Sequence, residues 1–359
     1  MRLPNFNAGP AAMPQAVLER IQNELLDYQG RGLSVLEMSH RSDDFMAIAS
    51  RAQAHLRTLL SIPDTYQVLF MQGGANAQFS LMVNNLDVDG HVAYSNTGYW
   101  SAKAIADAAR LTQVTTVCEL TEQPQLSIPD SDQWQIPSSA SYLHITDNET
   151  IDGVVFDKTP ETNLPLVCDM SSSILSRPVD IESYGMIYAG AQKNIGPAGI
   201  TIVIIRDDLI DRSRQRPSVP RVFSYAEMSD SNSMLNTPPT FAWYASCCVF
   251  EWLIEQGGLD VVADRNKAQA SRVYQCIDEN DCFDNRVADA NRSIMNIPFD
   301  LSEPALVPTF LQGASQRGLI GLKGHKSRGG IRASLYNGVP DKAVDALVDY
   351  MTDFSRNLA

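Results

Sequence analysis

The chain has 359 residues, 44% of them hydrophobic and 19% charged, and its 28 Lys and Arg against 42 Asp and Glu leave a formal charge of −14. That length and balance fit two folded domains and exclude a disordered or fibrous chain. An acidic surface repels nucleic acid and anionic membranes at long range, so an anionic ligand has to meet a local cationic pocket.

The opening stretch, MRLPNFNAGPAAMPQ, lacks the apolar run of a secretory signal, and the longest clean apolar run, ITIVII, has the length of a strand. Six cysteines (Cys118, Cys168, Cys247, Cys248, Cys276, Cys282) show neither C-x-x-C spacing nor metal-ligand spacing with the five histidines. The expectation is reduced thiols, no metal and a cytoplasmic protein.

In chain order, Val17, Leu18, Ile21, Leu25 and Tyr28 recur at helical spacing, which predicts a helix from Ala16 to Tyr28 between Pro14 and Gly30. A second helix is predicted from Asp43 to Leu60, capped by Ser42 and closed before Pro63. Strands and helices then alternate: YQVLF, a Gly73-Gly74 turn, a helix through QFSLMVNNL, HVAYS, a helix through AKAIADAAR, and QVTTV. Residues 121–140, rich in Pro, Ser and Gln, read as a surface connection. The strands SYLHIT, LPLVCD, MIYAG and ITIVII follow, then two long helices near 241–256 and 259–279. The strand-like stretches IMNIPF and GIRASLY and a closing amphipathic helix through Val344, Leu347, Val348, Met351 and Phe354 complete the chain. The alternation predicts an α/β domain built on a mixed, mostly parallel sheet with helices on both faces, followed by a smaller α+β domain. No internal repeat is present.

In open α/β sheets ligands gather beyond the carboxyl ends of the strands, and five of these ends carry chemistry. After YQVLF, Gly73 and Gly74 bring backbone N–H groups at a helix start to where an anion can sit; the residues of the common dinucleotide and nucleotide-phosphate loops are missing. After HVAYS, Trp100 opens a helix, either as a core aromatic or as a plate for a flat ligand. After SYLHIT, Thr150 offers a hydroxyl. After LPLVC, Asp169 precedes three serines, as a helix cap or as a partner for a positive ring nitrogen. After MIYAG comes Lys193, with no carboxylate within ten residues on either side, in surroundings that favour a desolvated, nucleophilic amine of the Schiff-base kind. A phosphate cradle, an aromatic plate, a hydroxyl, an acid and an amine match pyridoxal phosphate part by part.

The motifs NAGPAAMP, MSHRS, GYW, NETIDG, SSSILSRP, YAGAQKNIGPAG and NTPPTFAWY extend this pattern over essentially the whole chain. By them the sequence resembles the class V aminotransferases, in the fold type I group of pyridoxal-phosphate enzymes, and among these the branch that exchanges an amino group between L-glutamate and 3-phosphohydroxypyruvate. The resemblance implies that Lys193 holds the cofactor, Asp169 pairs with its ring nitrogen, Trp100 stacks on the ring and Thr150 contacts the phenolic oxygen. It places Gln192, Ala75 and Asn76 around the phosphate, and it implies a homodimer in which Asn236 and Thr237 reach the neighbouring subunit's cofactor. Arg332 would grip the α-carboxylate, with Arg41, His325 and Lys326 forming the pocket for the distal anion. For Arg41 a salt bridge to Asp43 or Asp44 is the plain alternative. The resemblance divides the chain into a large domain at 16–259 and a small domain built from 1–15 with 260–359. It leaves open whether phosphohydroxythreonine of vitamin B6 synthesis is also used.

Three departures from the family pattern stand out: Ala8 for a serine, Asn76 for an arginine beside the phosphate, and Lys326 for an arginine. A cysteine desulfurase is a poor alternative, because no cysteine follows Cys282. Glyoxylate-using aminotransferases are a nearer one. A phosphate-binding protein without catalysis would leave Lys193, Asp169 and Trp100 unexplained.

Overall fold

The computed structural model describes residues 2–358. Its elements, in order, begin with α1 (Gln15–Glu24), α2 (Asp43–Leu60), β1 (Tyr66–Met71), α3 (Gly74–Leu86), β2 (His91–Asn96), α4 (Tyr99–Ala108) and β3 (Gln113–Glu119). There follow β4 (Leu143–Thr146), β5 (Leu166–Asp169), β6 (Met186–Gly190), β7 (Thr201–Arg206), α5 (Asp207–Arg214), α6 (Tyr225–Asp230), α7 (Thr240–Glu255) and α8 (Gly258–Asp278). The C-terminal part holds β8 (Phe283–Asp284), β9 (Asn296–Leu301), α9 (Val307–Gln316), β10 (Ile331–Ser334) and α10 (Asp341–Arg356).

The large sheet has the order β1-β7-β6-β5-β4-β2-β3. Pairs from β3 through β6 are parallel, and β7 alone runs against both its neighbours, so the β6–β7 connection stays on one edge of the sheet without a helical crossover. Side chains alternate across the sheet. On β1, Val68 and Phe70 join the core under α2 and α7, while Leu69 and Met71 join the core formed with α3, α4 and α6. Burial on both faces accounts for near-continuous apolar strands such as Thr201–Arg206. Helix α7 is buried along most of its length, and its Trp243 stacks on Phe70 with ring centroids 4.1 Å apart.

Helix α2 starts as expected, with Ser42 Oγ accepting from the Phe45 N–H and Asp43 and Asp44 in the first turn. Helix α1 is shorter than its periodicity predicts. The chain leaves the helix after Leu25, Asp27 is extended, and the Tyr28 N–H bonds the Leu33 carbonyl in a turn containing Gly30 and Gly32, so Tyr28 packs edge-on against Tyr244 from outside any α-helix. Helix α9 carries Pro308 in its first turn, where the missing N–H costs nothing; that proline hides the helix from a reading that treats Pro as a breaker.

The second sheet, β10-β9-β8, is antiparallel. Its core joins Phe6 and Ala12 to residues between Ala270 and Met351, so the N-terminal segment packs with the C-terminal part. Within 121–140 the chain is mostly irregular, but Leu126, Trp134 and Ala140 are buried.

Candidate active site

The five strand ends named from the sequence lie on parallel strands β1, β2, β4, β5 and β6 and converge on one cavity of about 110 Å³. Gly74, Ala75, Asn76, Trp100, Thr150, Asp169, Gln192 and Lys193 all line it. A larger hollow of about 630 Å³ by Trp134 and Phe156 gathers carboxylates and Lys158 but no comparable set of groups.

Lys193 sits three residues past the end of β6. Its Nζ donates to Thr150 Oγ1 at 2.6 Å and to Ser172 Oγ, and those two hydroxyls are 2.6 Å apart. The N-terminal segment crosses it closely. The Ala11 N–H bonds the Gln192 carbonyl at 2.9 Å, and a Cβ on Gly9 would stand 3.5 Å from Lys193 Cγ.

Asp169 ends β5 and is 6% exposed, accepting from the Ser171 N–H at 2.8 Å. Burial pushes its carboxyl above the ordinary range, with Ser171, Lys193 and Tyr188 opposing. The start of α3 also lines the cavity, without a side-chain cap, so its first N–H groups are free for an anion. Gly73 has φ of +98°, and a Cβ there would lie 2.5 Å from Ala77 Cβ; only glycine keeps this cradle open.

Trp100 lies in the first turn of α4, and its indole Nε1 is buried without a partner, so its ring is placed by packing and backbone. Thus the cavity offers uncapped helix N–H groups, an aromatic face, a buried acid whose charge a cation would relieve, and an amine. This donor set fits pyridoxal phosphate.

The cationic residues are set apart. Arg332, on β10, bonds the Thr150 carbonyl through Nη1 at 3.4 Å and leaves its buried Nε unpartnered. His325 packs on Tyr99, ring centroids 5.2 Å apart, and burial with the charges of Arg332 and Lys326 lowers its imidazole below the ordinary range against the pull of Asp152. Lys326 and Arg41 are exposed, and Asp44 pairs with Arg31 instead of Arg41. Asn236 and Thr237, between α6 and α7, do not line the cavity.

The sequence reading gave no role to several lining residues: Thr146, Asn148, Ser171 and Ser172. The serine run after Asp169 was the only local signal for Ser172. Asn148 bonds Asn296 of β9 at 2.9 Å, and Asn296 in turn donates to Tyr336 Oη at 3.1 Å, a buried network tying the cavity to the second sheet.

The family model described as aminotransferase class V matches residues 4–347. A phosphoserine aminotransferase of Acinetobacter baylyi is 51% identical over 356 residues, 99% of each chain. Among solved structures, phosphoserine aminotransferase from Bacillus circulans subsp. alkalophilus superposes with a TM-score of 0.96 at 42% identity, covering 100% of this chain and 99% of that one. The pyridoxal-phosphate-bound phosphoserine aminotransferase of Trichomonas vaginalis gives 0.94 at 41% identity over 98% and 100% of the two chains.

Proposed function

The chain belongs to the class V aminotransferase family and is a pyridoxal-phosphate-dependent transaminase, and we propose that it works as a phosphoserine aminotransferase, exchanging the amino group between L-glutamate and 3-phosphohydroxypyruvate to give O-phospho-L-serine and 2-oxoglutarate. The observation that carries the site assignment is the convergence of Lys193, Asp169, Trp100 and Thr150 on one cavity.

When bound, pyridoxal phosphate supplies a carbonyl carbon for an amine and a ring that accepts electrons as the substrate Cα–H bond breaks. Lys193 Nζ would be the amine that holds the cofactor through that carbonyl and, when free, the base positioned to accept and return the substrate Cα proton. Thr150 and Ser172 accept hydrogen bonds from Nζ and orient it in the cavity. The Asp169 carboxylate would pair with the ring nitrogen and favour its protonated form, Trp100 would offer its face to the ring, and the backbone N–H groups of Ala75 and Asn76, with Gln192, would hold the phosphate. Arg332 binds the α-carboxylate through its fork. Arg41 and Lys326 take the distal carboxylate or phosphate and supply the local positive charge an acidic protein needs for two anionic substrates, with His325 beside them as a hydrogen-bond donor.

The chain works as a homodimer in the cytoplasm, with Asn236 and Thr237 completing the phosphate site of the partner. Their absence from the lining of this chain's own cavity supports that reading, and among the described residues no helix is long and apolar enough to cross a membrane. The domains are 16–259 and 1–15 with 260–359, a division supported by the shared core of Phe6, Ala12 and the C-terminal part; Met1 and Ala359 lie outside the described residues.

The test is a pair of half-reactions. Glutamate should bleach the absorbance of the bound cofactor, and 3-phosphohydroxypyruvate should restore it far better than pyruvate or glyoxylate. Restoration by an unphosphorylated keto acid alone would overturn the substrate assignment.

A further inference from the structure

We propose that Glu149 is a positioning residue for the cofactor plate: its buried carboxylate grips the first turn of α4 and thereby sets the plane of the Trp100 indole. The proposal rests on the pyridoxal-phosphate reading of the cavity.

Glu149 is 0% exposed. Its Oε2 accepts from the Trp100 N–H at 2.9 Å and its Oε1 from the Ser101 N–H at 2.8 Å. Beside it, Asp152 Oδ2 accepts from the Tyr99 N–H at 3.2 Å. All three leading N–H groups of α4 are therefore held by two carboxylates from a single turn beyond β4. The residue before the helix, Gly98, has no side chain to do this, and the fit permits none: a Cβ there would lie 2.7 Å from Asp152 Oδ2 and 2.8 Å from Glu149 Cδ.

A carboxylate without water is costly, and two N–H groups at the positive end of a helix are what stabilise its charge here. Burial and the neighbouring charge of Asp152 push its carboxyl up to about 7, with the N–H groups of Ser101 and Trp100 opposing. Asp152 in turn faces Arg328, His325 and Arg332. Trp100 has no hydrogen bond of its own to fix its ring, since Nε1 is unpartnered; Tyr99 meets it edge-on at 5.3 Å and the Lys103 Nζ lies 5.2 Å from the ring centre. Its orientation follows the backbone that Glu149 holds. The same turn carries Thr150, which touches Lys193, so one rigid loop sets both the plate and the hydroxyl beside the amine. Protonation converts one oxygen of Glu149 into a donor facing an N–H donor, which loosens the grip.

The experiment titrates cofactor-free wild type and Glu149→Gln with pyridoxal phosphate from pH 5.5 to 8.5, reading affinity, tryptophan quenching and the visible circular dichroism of the bound cofactor. Glu149→Gln should bind about tenfold more weakly, with less dichroism per bound cofactor and a pH dependence between 6 and 8 clearly smaller than that of wild type. Wild type should lose affinity and dichroism as pH falls through about 7. A folded Glu149→Gln with wild-type affinity, dichroism and pH profile overturns the proposal, as does a flat wild-type profile, which stands as the test if the variant does not fold. Wild type that takes up no cofactor at any pH would sink the cofactor reading as well, which separates the two failures.

Discussion

Replacing Gly73 by alanine tests the phosphate cradle through a single methyl group. The added Cβ would stand 2.5 Å from Ala77 Cβ, an atom fixed to the helix backbone, and the residue has φ of +98°. The backbone conformation costs about 1–2 kcal/mol for a residue with a side chain, and relieving the overlap about 1–3 kcal/mol more. The helix start must shift to relieve it, moving the N–H groups of Ala75 and Asn76 off the phosphate. Losing one charge-assisted bond of about 1.5–3 kcal/mol weakens cofactor binding roughly ten- to a hundredfold. Gly74 is the internal control: its φ is +67°, yet a Cβ there meets nothing within 4 Å, so Gly74→Ala should cost only the backbone term. Urea unfolding of the cofactor-free proteins and equilibrium titration with pyridoxal phosphate measure the two effects. A Gly73→Ala variant that matches wild type in both, or a Gly74→Ala variant more damaged than Gly73→Ala, would refute a glycine-dependent cradle.

Lys193→Ala should lose the borohydride-reducible absorbance and nearly all turnover; persisting transamination would refute the role of its amine. Asp169→Asn should slow isotope exchange at substrate Cα far more than it weakens cofactor binding, whereas equal losses would make Asp169 merely structural. Lys326→Arg, which restores a forked donor, should lower KM for the phosphorylated keto acid several-fold and leave that for glutamate less changed, as steady-state kinetics would show. For Glu149 the folded carboxyl titrates near 7 against an ordinary 4.5, so the folded state holds the extra proton and its contribution to stability is complete below 4.5 and lost as pH rises through 7. The unfolding free energy of wild type relative to Glu149→Gln should therefore increase by about 3 kcal/mol on going from pH 8 to 4.5, and a constant difference would argue against the buried charge.

Local chemistry made much of this protein legible before any coordinates. Helical spacing located α2 from its Ser42 cap to its end, and the alternation of strands and helices gave the layered sheet. Because parallel strands present their carboxyl ends on one side, the residues following β1, β2, β4, β5 and β6 were candidates for one site, and Gly74, Trp100, Thr150, Asp169 and Lys193 line one cavity, joined by Ala75, Asn76 and Gln192 from the resemblance. Motif resemblance, not periodicity, supplied the substrates and the cationic residues. Helix α1 ends before Tyr28, which packs on Tyr244 more than two hundred residues away, and no local pattern carries that contact.

What the tertiary structure alone decided are the pairings that local sequence does not encode. Sheet order brings Thr150 and Ser172 to Lys193 across separations of 43 and 21 residues. In the sequence, Glu149 is one acid in a turn. In the fold it is sealed against a helix start 49 residues earlier, where Gly98 leaves room for it and for Asp152 but for no Cβ. Periodicity reports which face of an element is buried; only the packed sheet determines which buried polar groups meet there, because desolvation forces each of them to find a partner among whatever the topology brings within reach.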